Sequence, residues 1–383
     1  MRTPPFTFVP RTASGLIDWE GLARDYPFFA EMAKTPQCEE HHGEGDVLTH
    51  SKMVAAEAET LADEHGLPEI DRDLLVAGAV FHDCGKPTTL TMETGIPSSP
   101  KHAAAGTNIL RQIWWERGWF PHDRREQVLS LVRFHAAPVR LLDPTRDPAF
   151  QVIQMSWMAR NDILALLAEA DMRGRISRNG DAQTNAIETA KFFGEYAKEL
   201  GCFSGPRAFP TGLARFHYFA TNGLSGPDYA PFDDSVGEAI IMCGLPASGK
   251  NTWVEKNVGD SPIVELDGVR RQMDISPEEN QGLVVQAAKE QARVIMRKKA
   301  PRFIWNATNL RVDLRRPLIS LFTEYGYRVR IVYCPADRPA LVARNQRRPD
   351  ETRVPIAVID RLGPKLEPPR FTEAPEIETV WTA

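Results

Sequence analysis

The stretch Gly237–Val254, GEAIIMCGLPASGKNTWV, carries the reading of the fold. Its first half is an unbroken apolar run of strand length. Unbroken rather than alternating apolarity marks a strand covered on both faces, the habit of a parallel sheet between helices. A turn bracketed by glycines follows, and then a helical segment. Downstream, the runs PIVEL, RFIWN and RVRIVYC repeat the strand pattern between helical stretches, a βαβ grammar. One helix start is explicit. Ser276-Pro277-Glu278-Glu279 supplies an N-cap serine, proline at the first helical position and glutamate at the capping-box position, opening a helix that runs towards Lys299.

Upstream the grammar differs. From Leu48 to Leu200 apolar residues recur at helical spacing, as in LTHSKMVAAEAETLADEHG, so this half is predicted to be all-α. The stretch from Gly205 to Gly237 is rich in Gly, Pro, Asp and aromatics and has no period, which places the division near residue 230. A multidomain chain is expected, with an all-α domain over 1–230 followed by an α/β domain with a parallel sheet over 231–383, and a length of 383 residues suits two domains. All nine histidines precede residue 218, and the charge divides as well, net −9 over residues 1–236 and net +4 over 237–383. Disorder and fibrous repeats are excluded by composition. Five cysteines without a CxxC pair point to free thiols in a reducing compartment. MRTPPFTFVP lacks a basic segment followed by an apolar core, and no apolar run approaches the roughly 18 residues of a membrane span, so a cytoplasmic protein without membrane contact is expected. A net charge of −5 argues against a surface that coats polyanions generally, so any nucleic-acid contact is local.

Gly244, Gly249 and Lys250 satisfy G-x4-GK between a strand and a helix, the setting in which such a loop cradles phosphates. The glycines let backbone N–H groups turn inward, the helix presents its positive end, and Lys250 reaches the outer phosphates of ATP or another nucleoside triphosphate. Ser248 and Thr252 belong to the same cradle. Where the motif sets Ser or Thr on Mg2+ stands Asn251, a weak ligand, which leaves that place to Thr252 or to water.

The segment from Ile240 to Leu362 resembles the 5′-hydroxyl polynucleotide kinases, through this loop and through VELDGVRRQM, RFIWNATNL and RNQRRPDETRVP. The resemblance implies Asp267, at the end of the strand after the loop, as general base on the acceptor hydroxyl, and Arg270 as a clamp on the acceptor's phosphate. A helix-capping role for Asp267 is the plainer alternative. It further implies Arg344 and Arg348, one helical turn apart, as a lid over the triphosphate, while Arg347 and Arg353 read as a solvated basic face. In the family's D-x-N turn Ala307 takes the Asp place, with Asn306 before it.

In the first half, the apolar run DLLVAGAVF ends in His82-Asp83-Cys84-Gly85-Lys86. Neighbouring helical side chains point about 100° apart, so His82 and Asp83 share an ion only at a helix end or wall, and further ligands come from elsewhere. His50 in VLTHSKMV and Asp171 in LLAEADMRGR are available. From Pro36 to Arg175 this H…HD…D set resembles the HD-domain phosphohydrolases, above all the HD domain attached to certain tRNA CCA-adding enzymes. Shared motifs are HxEGDxxxH (His42 to His50), HDxGK, a His after Pro-Lys and EADxRGR. The resemblance implies hydrolysis of 2′,3′-cyclic phosphates and 2′- or 3′-monophosphates with a transition metal; mixed imidazole and carboxylate ligands suit Ni2+, Co2+ or Mn2+. It also implies that His102 and His135 line the phosphate or bind a second ion, core or capping roles being the alternative, and that Lys86 neutralises the scissile phosphate unless it is a solvated turn lysine. His42 is evenly balanced; His41, His65, His122 and His217 read as surface or interdomain residues, and Trp114, Trp115, Trp119 and Phe120 as core.

The two halves together resemble the bacterial bifunctional end-healing enzymes termed HD-Pnk. That resemblance implies processing of RNA or DNA ends, with a separate ligase acting downstream. Two further readings fit the same residues: an HD mononucleotide phosphatase joined to a small-metabolite kinase, and a nucleotide-binding domain that regulates an HD hydrolase.

Overall fold

A computed structural model describes residues 7–93, 95–276 and 279–381. The chain forms two compact units, one comprising residues through 114 with 119–208, the other residues 115–118 with 209–383.

In the first unit the organising element is the helix Glu69–Phe81. Every residue from Leu74 to Phe81 is buried, because this C-terminal part of the helix is apolar on all sides and the helix is packed by Val47–Glu64, His122–Phe134 and Asn161–Arg173. Gly180–Glu199 lies along Asn161–Arg173. Aromatic rings fill one end: Trp114 is fully buried, its indole N–H donates to the Tyr26 hydroxyl at 2.9 Å, and Phe81 packs edge-on to both rings. Trp114 is thus core, as its sequence context suggests. A helix enclosed on every side delivers its C-terminal end into the core, and that end is His82-Asp83.

The second unit holds a five-stranded, fully parallel sheet in the order β2-β3-β1-β4-β5: β1 Gly237–Cys243, β2 Ile263–Glu265, β3 Arg302–Asn306, β4 Tyr327–Tyr333 and β5 Glu376–Thr379. Four strands coincide with the predicted runs. The fifth, EIET, is short and alternating, so it lacked the signal of a strand covered on both faces. Along β1, Ala239, Ile241 and Cys243 enter the core on one side of the sheet, while Ile240 and Met242 meet Trp253 and Val254 on the other. The chain leaves β1 for β2 on one side and returns through β3 before crossing to β4, so the end of β1 is the topological switch point, where parallel sheets bind ligands. Of the expected helix start at Ser276–Glu279, Pro277 and Glu278 lie outside the described residues; the helix itself runs Gln281–Arg297.

Residues 209–230, placed with the first domain by the sequence reading, pack with the second unit. The Arg215 guanidinium donates to the carbonyls of Ala374 and Pro375, and the Phe219 ring meets Phe371 edge-on. All five thiols are free. Among the described residues no helix is long and apolar enough to cross a membrane.

Arg315 is fully buried in the second unit. It holds Glu373 through two bonds of 2.7 and 2.9 Å and donates to the carbonyls of Asn309 and Glu367, so it fastens the C-terminal segment to the turn after β3. Removing one member of a buried ion pair strands the other charge. Glu373→Ala should therefore cost about 3–5 kcal/mol in urea unfolding of this unit, and a loss below about 1 kcal/mol would contradict the pairing.

Candidate functional site

The first unit gathers four histidines around one carboxylate. His82 and His135 sit just past the ends of Glu69–Phe81 and His122–Phe134, and each turns Nδ1–H back on a carbonyl of the last helical turn, Ala79 at 2.7 Å and Val132 at 2.9 Å. Those carbonyls lack helical partners, so the imidazoles cap the helices. His102, the first residue of His102–Arg117, donates from Nδ1 to Ser99 O at 2.8 Å, and His50 from Nδ1 to Gly174 O at 3.2 Å. Each bond fixes the tautomer and leaves Nε2 with its lone pair facing the others. His50 and His82 Nε2 lie 3.3 Å apart, His102 and His135 Nε2 3.4 Å. Lone pairs at that separation repel unless a cation lies among them.

Asp83 stands between the two pairs. Its Oδ2 is 3.1 Å from His82 Nε2 and 3.7 Å from His50 Nε2, and Oδ1 is 3.2 Å from His102 Nε2. Asp171 closes the first group, 3.1 Å from His50 Nε2 and 3.8 Å from His82 Nε2. Oδ1 of Asp83 is buried yet accepts no hydrogen bond among the described residues, an orphan that a metal ion would satisfy. Two groups that share Asp83 could each hold an ion: His50, His82 and Asp83, with Asp171 beside the two imidazoles, and Asp83, His102 and His135. Close packing makes the sharing possible. A Cβ on Gly85 would lie 2.1 Å from His102 O and 2.4 Å from Gly106 N, so only glycine lets the HD turn press against the helix that begins at His102.

The electrostatics agree. Burial opposes ionisation of Asp83, but His82 and Lys86 hold its carboxyl well below the usual range, and Arg175 and His50 do the same for buried Asp171. Burial works against a charge on His50 too, yet the carboxylates of Asp171 and Glu44 beside it raise its pKa above the usual imidazole value. His135 is pushed down to about 3, by burial first and His82 second, and is a neutral donor at ordinary pH.

Lys86 is not a solvated turn lysine. Its ammonium sits 2.7 Å from Asp83 Oδ2 and donates to Gln37 Oε1 at 2.6 Å. His42, evenly balanced in the sequence, joins the cluster, buried and bonded to Glu44. Glu44, Gln37 and Arg175 carry polar roles that the sequence reading did not assign; Arg175 grips both oxygens of Asp171. Glu44 and Arg175 stand inside the quoted HxEGD and EADxRGR motifs, which is where a signal lay. His41 and His65 are exposed, whereas His122 and His217 are half-buried.

In the second unit the loop Gly244–Lys250 joins β1 to the helix Lys250–Asn257 at the switch point. Gly244 has φ 153°, and a Cβ there would lie 2.7 Å from Cys334 O; Gly249 has φ 101°. Lys250 donates to the carbonyls of Gly244 and Leu245 at 2.8 and 2.7 Å, and burial pushes its pKa down to about 8. Asn251 does not stand alone: its amide oxygen accepts from Asn306 Nδ2 at 3.1 Å, so Asn306 at the end of β3, not Ala307, is the polar group facing the loop. Thr252 is exposed. Asn309 donates to Met242 O, and Gly244 N to Thr308 O, locking the turn after β3 beneath the loop.

Asp267 is neither strand end nor helix cap. β2 stops at Glu265, which is the N-cap, and Asp267 lies in the first turn of Leu266–Gln272, largely exposed and paired with Arg270, which also donates to Gln281. A cavity of about 360 Å3 opens beside Asn251 and Asn306, lined also by Glu255, Glu265, Gln272 and Gln291; neither Asp267 nor Arg270 lines it. Arg344 points to Ser248 O at 3.5 Å. Arg344 and Arg348 do not share a helix turn, because Arg338–Gln346 ends between them; Arg348 lies in the following loop and its charge acts on Lys250. Arg353 is not simply solvated, for it donates to the carbonyls of Gln346 and Arg348 and pairs with Asp350.

Residues 47–168 match the family model of the HD domain, and residues 240–369 that of an AAA domain. Over 165 residues, 42% of the chain, it is 32% identical to a Multifunctional CCA protein of Vibrio cholerae serotype O1 strain ATCC 39541. It is 31% identical over 166 residues to the Multifunctional CCA protein of strain M66-2. The chain spans about 38% of the length of these relatives. A helical HD domain and an α/β P-loop domain therefore share one chain.

A phosphate in the loop favours the charged form of Lys250, whose pKa in the free protein is about 8. Affinity for ATP, measured by calorimetry, should be highest below that pH and fall as pH rises through it, approaching about tenfold per unit. Lys250→Met should bind weakly with a flat profile, and a flat wild-type profile from about pH 7 to 9 would contradict the burial of this ammonium.

Proposed function

We propose that the protein heals broken nucleic-acid ends, RNA or DNA: the HD unit removes 2′,3′-cyclic phosphate and 2′- or 3′-phosphate, and the second unit transfers the γ-phosphate of a nucleoside triphosphate to a 5′-hydroxyl. The observation that carries it is the presence in one chain of two sites of different chemistry, each suited to a phosphate. One is a histidine cluster around a shared carboxylate, the other a P-loop with an exposed Asp–Arg pair in its unit. Nucleolytic breaks that leave a 2′,3′-cyclic phosphate and a 5′-hydroxyl need both operations before a separate ligase can seal them.

At the HD centre, His50, His82, Asp83 and Asp171 would hold a transition ion such as Ni2+, Co2+ or Mn2+, which would supply Lewis acidity towards the phosphate ester and towards water. The chain's own residues do the rest. Asp83 and Asp171 orient the imidazoles and neutralise the centre, and Lys86 offers a positive charge to the substrate phosphate from its place beside Asp83. His102 is only partly buried; with a single ion on His50, His82, Asp83 and Asp171, its Nε2 is left to serve the leaving oxygen, the alternative to holding a second ion.

In the second unit the loop amides and Lys250 hold the outer phosphates, which enter with Mg2+. Asp267 accepts the proton of the attacking 5′-hydroxyl, and Arg270, already drawn to Asp267, clamps the acceptor's phosphate. Arg344, beside Ser248, and Arg348, near Lys250, balance the charge that spreads over the transferring phosphoryl group. A reducing, cytoplasmic setting accords with five free thiols.

The amide pair Asn251–Asn306 favours a second reading, in which this unit binds nucleotide without transferring phosphate and regulates the hydrolase. One substrate separates the possibilities: a short RNA with a 5′-hydroxyl and a 2′,3′-cyclic phosphate, incubated with ATP, Mg2+ and Ni2+. Wild type should yield a 5′-phosphate and a 2′,3′-diol. Lys250→Ala should lose at least about 100-fold of the 5′-transfer alone, and Asp83→Ala the 3′-end processing alone. Nucleosides phosphorylated as well as the oligonucleotide would sink the polynucleotide assignment, and ATP binding without transfer would establish the regulatory one.

A further inference from the structure

The structure assigns Glu44 to the HD centre as a positioning residue, one that orients and polarises His50 instead of taking an ion itself. This inference rests on the metal-centre reading above and concerns a residue outside its proposed ligands.

The Glu44 side chain is 1% exposed, yet each carboxylate oxygen is engaged. Oε1 lies 2.9 Å from His50 Nδ1 and 2.9 Å from His42 Nδ1, and Oε2 accepts from Ile176 N at 2.9 Å. A carboxylate leaves water only where donors replace its hydration, and here three do. The backbone secures the arrangement. Gly43 N donates to Ile176 O at 2.7 Å, and Arg178 N to Glu40 O at 3.0 Å, so the loop that carries Glu44 is laced to the segment following Asp171 and Gly174.

His42, Glu44 and His50 by themselves have the composition of a metal site. The geometry of His50 argues against one. Its Nδ1 faces two oxygens at once, Glu44 Oε1 at 2.9 Å and Gly174 O at 3.2 Å, a position that demands a proton on Nδ1. A cation on Nδ1 would displace that proton to Nε2, which lies 3.3 Å from His82 Nε2 and 3.1 Å from Asp171 among the proposed ligands. One imidazole cannot present lone pairs on both sides. The carboxylate–imidazole–ion order that remains raises the basicity of the ligating nitrogen and holds the ring plane.

The test is Ni2+ binding by the full-length, chelator-stripped protein, followed by equilibrium dialysis for ion count and calorimetry for affinity. Cobalt(II) absorption serves as a signature of the ligand set. Glu44→Gln keeps the shape and an acceptor oxygen but removes the charge. It should bind the same number of ions roughly 10–100-fold more weakly, with the melting temperature of the metal-free protein unchanged. Glu44→Asp, which restores the charge, should recover part of the affinity; a purely packing role would put Glu44→Gln ahead of it. His42→Gln should keep the ion count and the Co2+ spectrum. Wild-type affinity in Glu44→Gln, or one ion lost from both Glu44→Gln and His42→Gln, would overturn the inference. If wild type binds no Ni2+, or Asp83→Ala binds it as well as wild type, the metal-centre reading fails instead.

Discussion

A carboxylate taken out of water must be surrounded by cations or donors, and the first unit is organised around that demand at Asp83. The helix that ends beside it is buried on every side, so the aspartate sits where solvent does not reach. Four imidazoles and Lys86 surround its charge, and each ring is held in place by an Nδ1 bond to a backbone carbonyl. Two of these bonds complete helix ends, and all four turn Nε2 towards a common space. Local structural economy and ligand geometry are one feature. Glu44 and Arg175 extend it by one shell, fixing His50 and Asp171 from behind.

The second unit solves a different problem, the holding of a highly charged phosphate chain without imidazoles. Its instruments are backbone amides at the end of β1, one buried ammonium and the peptide turn after β3, all placed by sheet order at the switch point. Asn309 and Arg315 explain why this turn does not drift. The first donates to β1, and the second ties the turn to the C-terminal segment through Glu373. The histidine asymmetry along the sequence follows from this division of labour.

Legibility in the sequence tracked locality. Strands β1 to β4, the phosphate loop and the HD turn are each written in contiguous residues whose pattern has one physical reading. β5 escaped because four alternating residues carry little signal, and the division between units was placed too late because Arg215 and Phe219 find their partners more than 150 residues away. The place of Arg348 depended on where one helix stops, and the pairing of Asn251 with Asn306 on which strand lies beside β1.

What the sequence determined by itself is the order of chemistries: a helical half rich in histidine, then a parallel α/β half with a phosphate cradle, because period, glycine placement and residue type are local properties. Only the tertiary structure decided that Asp83 is shared by two imidazole pairs, that His42 and Glu44 stand behind His50, and that Lys86 faces the centre. Those facts depend on which helix ends converge and on how closely Gly85 lets two segments approach, and convergence of distant segments is a property of packing that no single stretch of chain encodes.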